Sequence, residues 1–167
     1  LAGAAWSTAA VAADPASRPD PPKVMPTATF VQEAVVSNLF EVESSKLALD
    51  RSQNGAVKAF ARHMVDDHSA AGVKFTEAMS EAKVTRPPLK LDARRHALLD
   101  ELADRKGGDF DRIYVEAQHK AHVEAVALFE GYGATGEDAA LKAVAVTLLP
   151  TLKRHLAEIE KVKAAQK

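Results

Sequence analysis

Apolar residues recur three and four positions apart through most of the chain, and no segment sustains a two-residue alternation. That spacing lays an apolar stripe along one face of an α-helix, so the pattern predicts an all-α protein. The first predicted helix lies in TATFVQEAVVSNLFEVESSKLALDRS, where Thr29 and Gln32 have capping-box spacing. Asn54-Gly55 interrupts the stripe, and a second helix is expected from about Ala56 to Lys83, ended by TRPP. Asp92 is placed to cap a shorter helix running to Lys106, with Gly107-Gly108 as its stop. Asp109 then caps a helix to about Glu130, where GYGATG reads as a break. The last helix runs from about Glu137 towards the C-terminus. Pro150 lies inside it, and its missing backbone donor predicts a kink near residues 146–149.

Tight turns join the first two long helices and the last two, and the crossover between the pairs contains the short helix. Two antiparallel hairpins linked in this way make a ferritin-like four-helix bundle. A plain up-and-down bundle of five helices is the alternative. The bundle is expected to occupy residues 29–166 as one domain. Before it, residues 14–28 form a Pro-rich linker, and five of the eight prolines lie between Asp14 and Pro26. Residues 1–13, LAGAAWSTAAVAA, resemble the end of a secretory signal peptide, with Ala10-Val11-Ala12 or Val11-Ala12-Ala13 as the small-residue cleavage pattern. The expected address is therefore periplasmic or otherwise exported, in a bacterium.

Composition narrows the function classes. The 167 residues carry 22 basic and 23 acidic side chains with no basic cluster, which argues against nucleic acid as a partner. Cysteine is absent, which excludes disulfides, thiolate metal sites and cysteine nucleophiles. No later apolar run is long enough to span a membrane. Gly-rich phosphate loops, Gly-x-Ser-x-Gly elbows and His-Glu-x-x-His helices are also missing, so no reaction is assigned.

Helical phase then picks out one inward ionisable residue on each long helix: Glu43, His68, His122 and His155. Glu43 shares a face with Leu39, Phe40 and Leu47, whereas Glu41 falls beside Ser37, Asn38, Ser44 and Ser45 on a polar face. His68 centres the stripe of the second helix, with Asp67 at its margin and His63 and Asp66 turned to water. His122 shares a face with Gln118 and Ala125, and His155 with Leu152 and Ile159. Burying such groups costs a few kcal/mol each unless they find partners. Three imidazoles and a carboxylate suit a divalent Zn, Fe, Mn or Cu ion. Asp67, Glu116 and His119 are secondary candidates. Glu116 and His119 have the Glu-x-x-His spacing of di-iron bundles, but no second such motif exists, so a di-iron oxidase is discounted.

Counting from the Asn54 turn places Glu43, His68 and His122 roughly 16–21 Å along the bundle, whereas His155 comes out at roughly 8 Å. His155 is thus expected to be off level. The competing expectation is a non-enzymatic structural or stress-related module, open to a protein partner or homodimer, whose polar core is hydrogen-bonded without metal. A pH sensor built on buried histidines is a third.

The stretches FVQEAVVSNLFEVESSKLALDRSQNGAVKAFARHMVDDHSAA, LDARRHALLDEL, FDRIYVEAQHKAHVEAVALFE and LLPTLKRHLAEIE resemble a family of uncharacterised exported ferritin-like proteins, often called "predicted outer membrane protein". The resemblance covers about Phe30 to Glu160. It implies a ferritin-like bundle exported from a bacterial cell, with matching positions at Glu43, Asp67-His68, His122, Pro150 and His155. The family is a domain of unknown function, so the resemblance implies no substrate.

Overall fold

The structure, a computed structural model, describes residues 24–166. Residues 1–13, read from sequence as the end of a signal peptide, and most of the Pro-rich segment lie outside the described residues. Thr27 and Ala28, assigned to that linker from sequence, already belong to the first helix. Five helices follow: α1 (Thr27–Arg51), α2 (Gly55–Glu81), α3 (Ala93–Ala103), α4 (Gly107–Thr135) and α5 (Ala139–Ala164), with no strand among the described residues. α1 packs on α2 and α4, and α5 packs on α4 and α2, while α3 lies in the crossover against α1 and α4. This is the ferritin-like bundle of two antiparallel hairpins.

Three starts obey side-chain capping. Asn54 Oδ1 accepts from Ala56 N and Val57 N at 2.9 and 3.3 Å, Asp92 Oδ1 from Arg95 N at 2.8 Å, and Asp138 Oδ1 from Leu141 N at 2.9 Å. Each satisfies a donor that a helix start leaves orphaned and contributes about 1 kcal/mol.

Other boundaries move. α1 starts two residues before Thr29, behind Pro26 and without a side-chain cap, so the expected capping box is not made. α3 stops at Ala103. The glycine pair expected to end it opens α4 instead, with Gly107 at φ +55°. α4 also runs through GYGAT to Thr135. There Tyr132 is fully buried, stacks on Phe30 with ring centroids 3.9 Å apart, and shares a 2.8 Å hydrogen bond with Thr27 Oγ1. That burial outweighs the roughly 1 kcal/mol cost of each helical glycine. α5 continues through Pro150. The carbonyl that Pro150 cannot serve belongs to Val146, which is exposed, so water can take the missing donor's place.

Two apolar clusters fill the bundle. One gathers Phe30, Val35, Phe75, Phe129, Tyr132 and Leu152, and the other gathers Val57, Phe60, Met64, Phe110, Tyr114 and Ile159. Between the two clusters every long helix contributes buried polar side chains: Glu41, Ser44 and Ser45 on α1 beside Phe40, His68 on α2, Gln118 and His122 on α4, and His155 on α5. A buried polar layer therefore divides the core.

Candidate metal centre

His68, His122 and His155 meet in that layer. Their ring centroids form a nearly equilateral triangle, with sides of 5.6, 5.4 and 5.5 Å. One nitrogen from each lies within 4.8 Å of the others, and all three residues are buried. His155 is level with the other two, contrary to the depth count. That count assumed that α5 ends flush with the Asn54 turn. The better ruler is the tight α4–α5 turn: His122 precedes Thr135 by 13 residues and His155 follows Ala139 by 16. At about 1.5 Å per residue the difference is only about 5 Å.

Each ring is fixed from outside by one hydrogen bond. His68 Nδ1 donates to Asn38 Oδ1 at 3.1 Å, His122 Nδ1 to the Gln118 carbonyl at 2.9 Å, and His155 Nε2 to Asp67 Oδ2 at 2.8 Å. The acceptors are an amide oxygen, a backbone carbonyl and a carboxylate, so in each ring the bonded nitrogen carries the proton. The opposite nitrogens, His68 Nε2, His122 Nε2 and His155 Nδ1, are buried lone pairs without a partner. Outer-sphere partners that set tautomer and ring orientation in this way are what metal-binding histidines ordinarily have.

The electrostatics keep the rings neutral. Burial pulls His68 well below its ordinary value, reinforced by the two neighbouring rings and opposed by Asp67. Burial lowers His122 to about 4, against the pull of the Gln118 carbonyl bond. His155 is lowered by burial as well, partly offset by Asp67. For Asp67 itself burial favours the neutral acid, but the hydrogen bonds and charges of His155 and Arg154 prevail and lower its pKa. Neutral imidazole is the form that binds a metal.

The structure does not bring Glu43 to this cluster. Its side chain is 41% exposed and pairs with Lys46 at 2.9 Å. Glu41 takes the buried place instead, with Oε1 3.9 Å from His122 Nδ1 and neither oxygen hydrogen-bonded. Burial pushes its pKa up to about 8, although the adjacent Gln118 amide and the Arg95 charge work the other way. The phase error came from the serines. Ser44 and Ser45 read as solvated, yet both are buried. Ser44 Oγ donates to the Phe40 carbonyl at 2.6 Å and accepts from Gln118 Nε2 at 2.9 Å, while Ser45 bonds Tyr114 at 2.8 Å. Small hydroxyl residues bonded in this way fit a close helix contact, and Phe40, Glu41, Ser44, Ser45 and Ala48 are the true inward stripe.

The secondary candidates separate. Asp67 touches the centre through His155. Glu116 pairs with Lys163 at 2.7 Å on the surface, and His119 lies 3.8 Å from Glu160 at the edge of the bundle. His63 is exposed, as the phase predicts, and pairs with Glu158, and His96 on α3 is exposed beside Asp100. Asn38 was not foreseen as a partner of His68. Nor was Arg95, which is buried in α3 and bonds Asp92 and Glu33, tying the crossover to α1.

Comparison with known proteins places the chain. A family profile described as a domain of unknown function, DUF4142, matches residues 11–162, so the chain belongs to that family. No curated protein matches. Among solved structures, CopM in its Cu(II)-bound form is similar at 15% identity, with a TM-score of 0.71, over 87% of this chain and 100% of that one. A DUF305 protein from Streptomyces coelicolor, described as secreted, is similar at 13% identity with a TM-score of 0.69, over 83% and 92% of the two chains. A DUF305 fragment from Deinococcus radiodurans has 16% identity and a TM-score of 0.69, over 82% and 94%. At these identities the likeness establishes a shared fold. No helix among the described residues is long and apolar enough to cross a membrane.

Proposed function

We propose that this protein binds one divalent transition-metal ion through His68 Nε2, His122 Nε2 and His155 Nδ1, in a bacterial exported compartment. The observation that carries the reading is three buried imidazoles, each with a nitrogen within 4.8 Å of the others and each with one ring nitrogen that has no hydrogen-bond partner. Each unsatisfied buried acceptor costs about 1–3 kcal/mol, and a shared cation satisfies all three. Nitrogens of a tetrahedral site with bonds of about 2.0–2.1 Å stand about 3.4 Å apart. From within 4.8 Å, the rings need to close by about 1.4 Å at most. Imidazole ligands favour Cu and Zn over Mn and Fe, and a Cu(II)-bound protein shares the fold. Asp67, Asn38 and the Gln118 carbonyl hold the rings, and Asp67 raises the basicity of His155. Three protein ligands leave a fourth position open, as in sites that exchange a ligand rather than in closed structural sites. The exported address rests on the signal-like residues 1–13 and on the secreted description of a structural relative.

The test is thermal unfolding of untagged, chelator-treated protein with added Zn or Cu. At a free metal concentration 100 times Kd the folded state gains about 2.7 kcal/mol, a shift of several degrees that His68→Ala and His122→Ala should abolish. No shift with any of Zn, Cu, Mn or Fe would contradict the proposal. It would favour a polar layer of purely structural use, which the outer hydrogen bond on each ring also fits.

A further inference from the structure

The bundle is not filled on one side of the histidine layer. A cavity of about 200 Å³ lies between α1, α2, α4 and α5, and His68 and His155 form part of its wall while His122 does not. Away from the histidines the wall is mostly apolar: Val35, Phe75, Met79, Phe129, Leu148 and Leu152. Along α2 the lining runs from His68 to Met79, about 16 Å at helical rise. The far end reaches the surface at the crossover, where the lining residues Arg86 and Leu89 are both exposed. The cavity is thus a largely apolar passage with a cation at its surface end, and with His68, His155 and the Arg154-paired carboxylate of Asp67 at the other.

Charge at the inner end is incomplete. Three neutral imidazoles leave the 2+ charge of a bound ion uncompensated, and burying such a charge is costly. The carboxylates nearby do not offset it from within the coordination shell. Asp67 is shared between His155 and Arg154, at 2.8 and 2.9 Å. Glu41 lies on the Nδ1 side of His122, away from the free Nε2. A monoanion in the open position halves that charge. The wall beyond that position offers carbon, and few polar partners, to whatever is attached to it.

We propose that the fourth position opens into this cavity and that the joint site takes a medium-chain carboxylate, with its head on the metal and its alkyl tail along Phe75, Phe129 and Leu152. This inference rests on the metal reading above. It adds the ligand class: a monoanion that lowers the buried charge and a tail that the passage selects. Arg86 at the mouth has the sign to attract the incoming anion.

Co(II) serves as the probe, because its visible bands report coordination without depending on the tail. Chelator-treated protein is loaded with Co(II) and titrated with octanoate and, separately, with acetate. Octanoate should change the bands and bind at least tenfold more tightly than acetate. Octanoate binding to metal-free protein should be at least tenfold weaker than to the loaded form. Thr76→Leu and Ala34→Leu each add carbon to the cavity wall away from the histidines, and circular dichroism checks that each folds. Either should erase the preference for octanoate and leave the Co(II) bands of the ligand-free protein in place. Bands that do not respond to octanoate, an equal response to acetate, or a preference that survives both substitutions would overturn the inference while leaving the metal site standing. Failure to develop Co(II) bands at all would instead overturn the metal reading on which it rests.

Discussion

His155 on α5 donates its Nε2–H to Asp67 Oδ2 on α2 at 2.8 Å, and this one bond leaves Nδ1 as a bare acceptor inside the bundle. The same carboxylate oxygen accepts from Arg154 at 2.9 Å. Asp67 therefore fixes a tautomer without entering the cluster. Asp67→Ala should weaken Zn affinity about 10- to 100-fold, the usual cost of losing an outer-shell partner. Competition with a chromophoric chelator measures it. Affinity unchanged within a factor of two would show that Asp67 does not orient the ring.

Metal-free protein should be most stable near pH 6.5. His68, His122 and His155 all have folded pKa values below the unfolded value of about 6.5, chiefly through burial. The unfolded chain then takes up their protons first as pH falls. Their contribution is complete above the unfolded value and is lost as pH drops towards the folded ones, about 4 for His122. Glu41 has the opposite sign. Its folded pKa is raised to about 8 by burial, so its contribution is complete below the unfolded carboxylate value and declines as pH rises through 8. Between those limits three histidines oppose one carboxyl, so the acid-side fall is the steeper. Denaturant unfolding from pH 5 to 8.5 should show a fall on the acid side and a shallower one on the alkaline side. A flat profile would contradict both assignments.

Glu41→Gln isolates the shallower limb. The amide keeps the shape of the neutral acid and cannot ionise, so the decline above pH 6.5 should vanish. The acid limb should steepen by about one proton, roughly 1.4 kcal/mol per pH unit. An unchanged alkaline limb would place its cause elsewhere.

Gly136 caps α4 where a Cβ would come within 2.6 Å of the Tyr132 carbonyl oxygen and ring. Real Cβ atoms do not approach backbone so closely, so Gly136→Ala must displace the end of the helix that carries the Phe30–Tyr132 stack. A loss of about 1–3 kcal/mol is expected, in the range of overpacked core sites. Tyr132→Phe, which removes only the bond to Thr27, should cost about 1 kcal/mol. Equal, negligible effects would mean that this corner yields freely.

Much of the fold was legible because turns and caps are written locally. Asn54-Gly55 and Asp92 punctuate the chain as their side chains then behave, whereas Asp109, read as a cap, lies inside α4, which starts behind Lys106 with no side-chain cap. The end of α4 was not legible, since the cost of Gly131 and Gly133 is local while the gain from Tyr132 comes from Phe30, a hundred residues away in sequence. The three histidines were legible from phase because each sits on an apolar stripe. Glu41 was not, because Ser44 and Ser45 look like surface until their hydroxyl partners are known. The level of His155 depended on the choice of ruler: the turn joining α4 to α5 sets it, whereas the free end of α5 does not.

The most direct test is X-ray absorption of untagged protein loaded with one equivalent of Zn, beside metal analysis of the same sample. One Zn per chain with three imidazole nitrogens at about 2.0–2.1 Å, lost in His68→Ala and in His122→Ala, is the predicted result. Zn retained at the same stoichiometry in those variants, or a shell of oxygen ligands without imidazole scattering, would contradict the account.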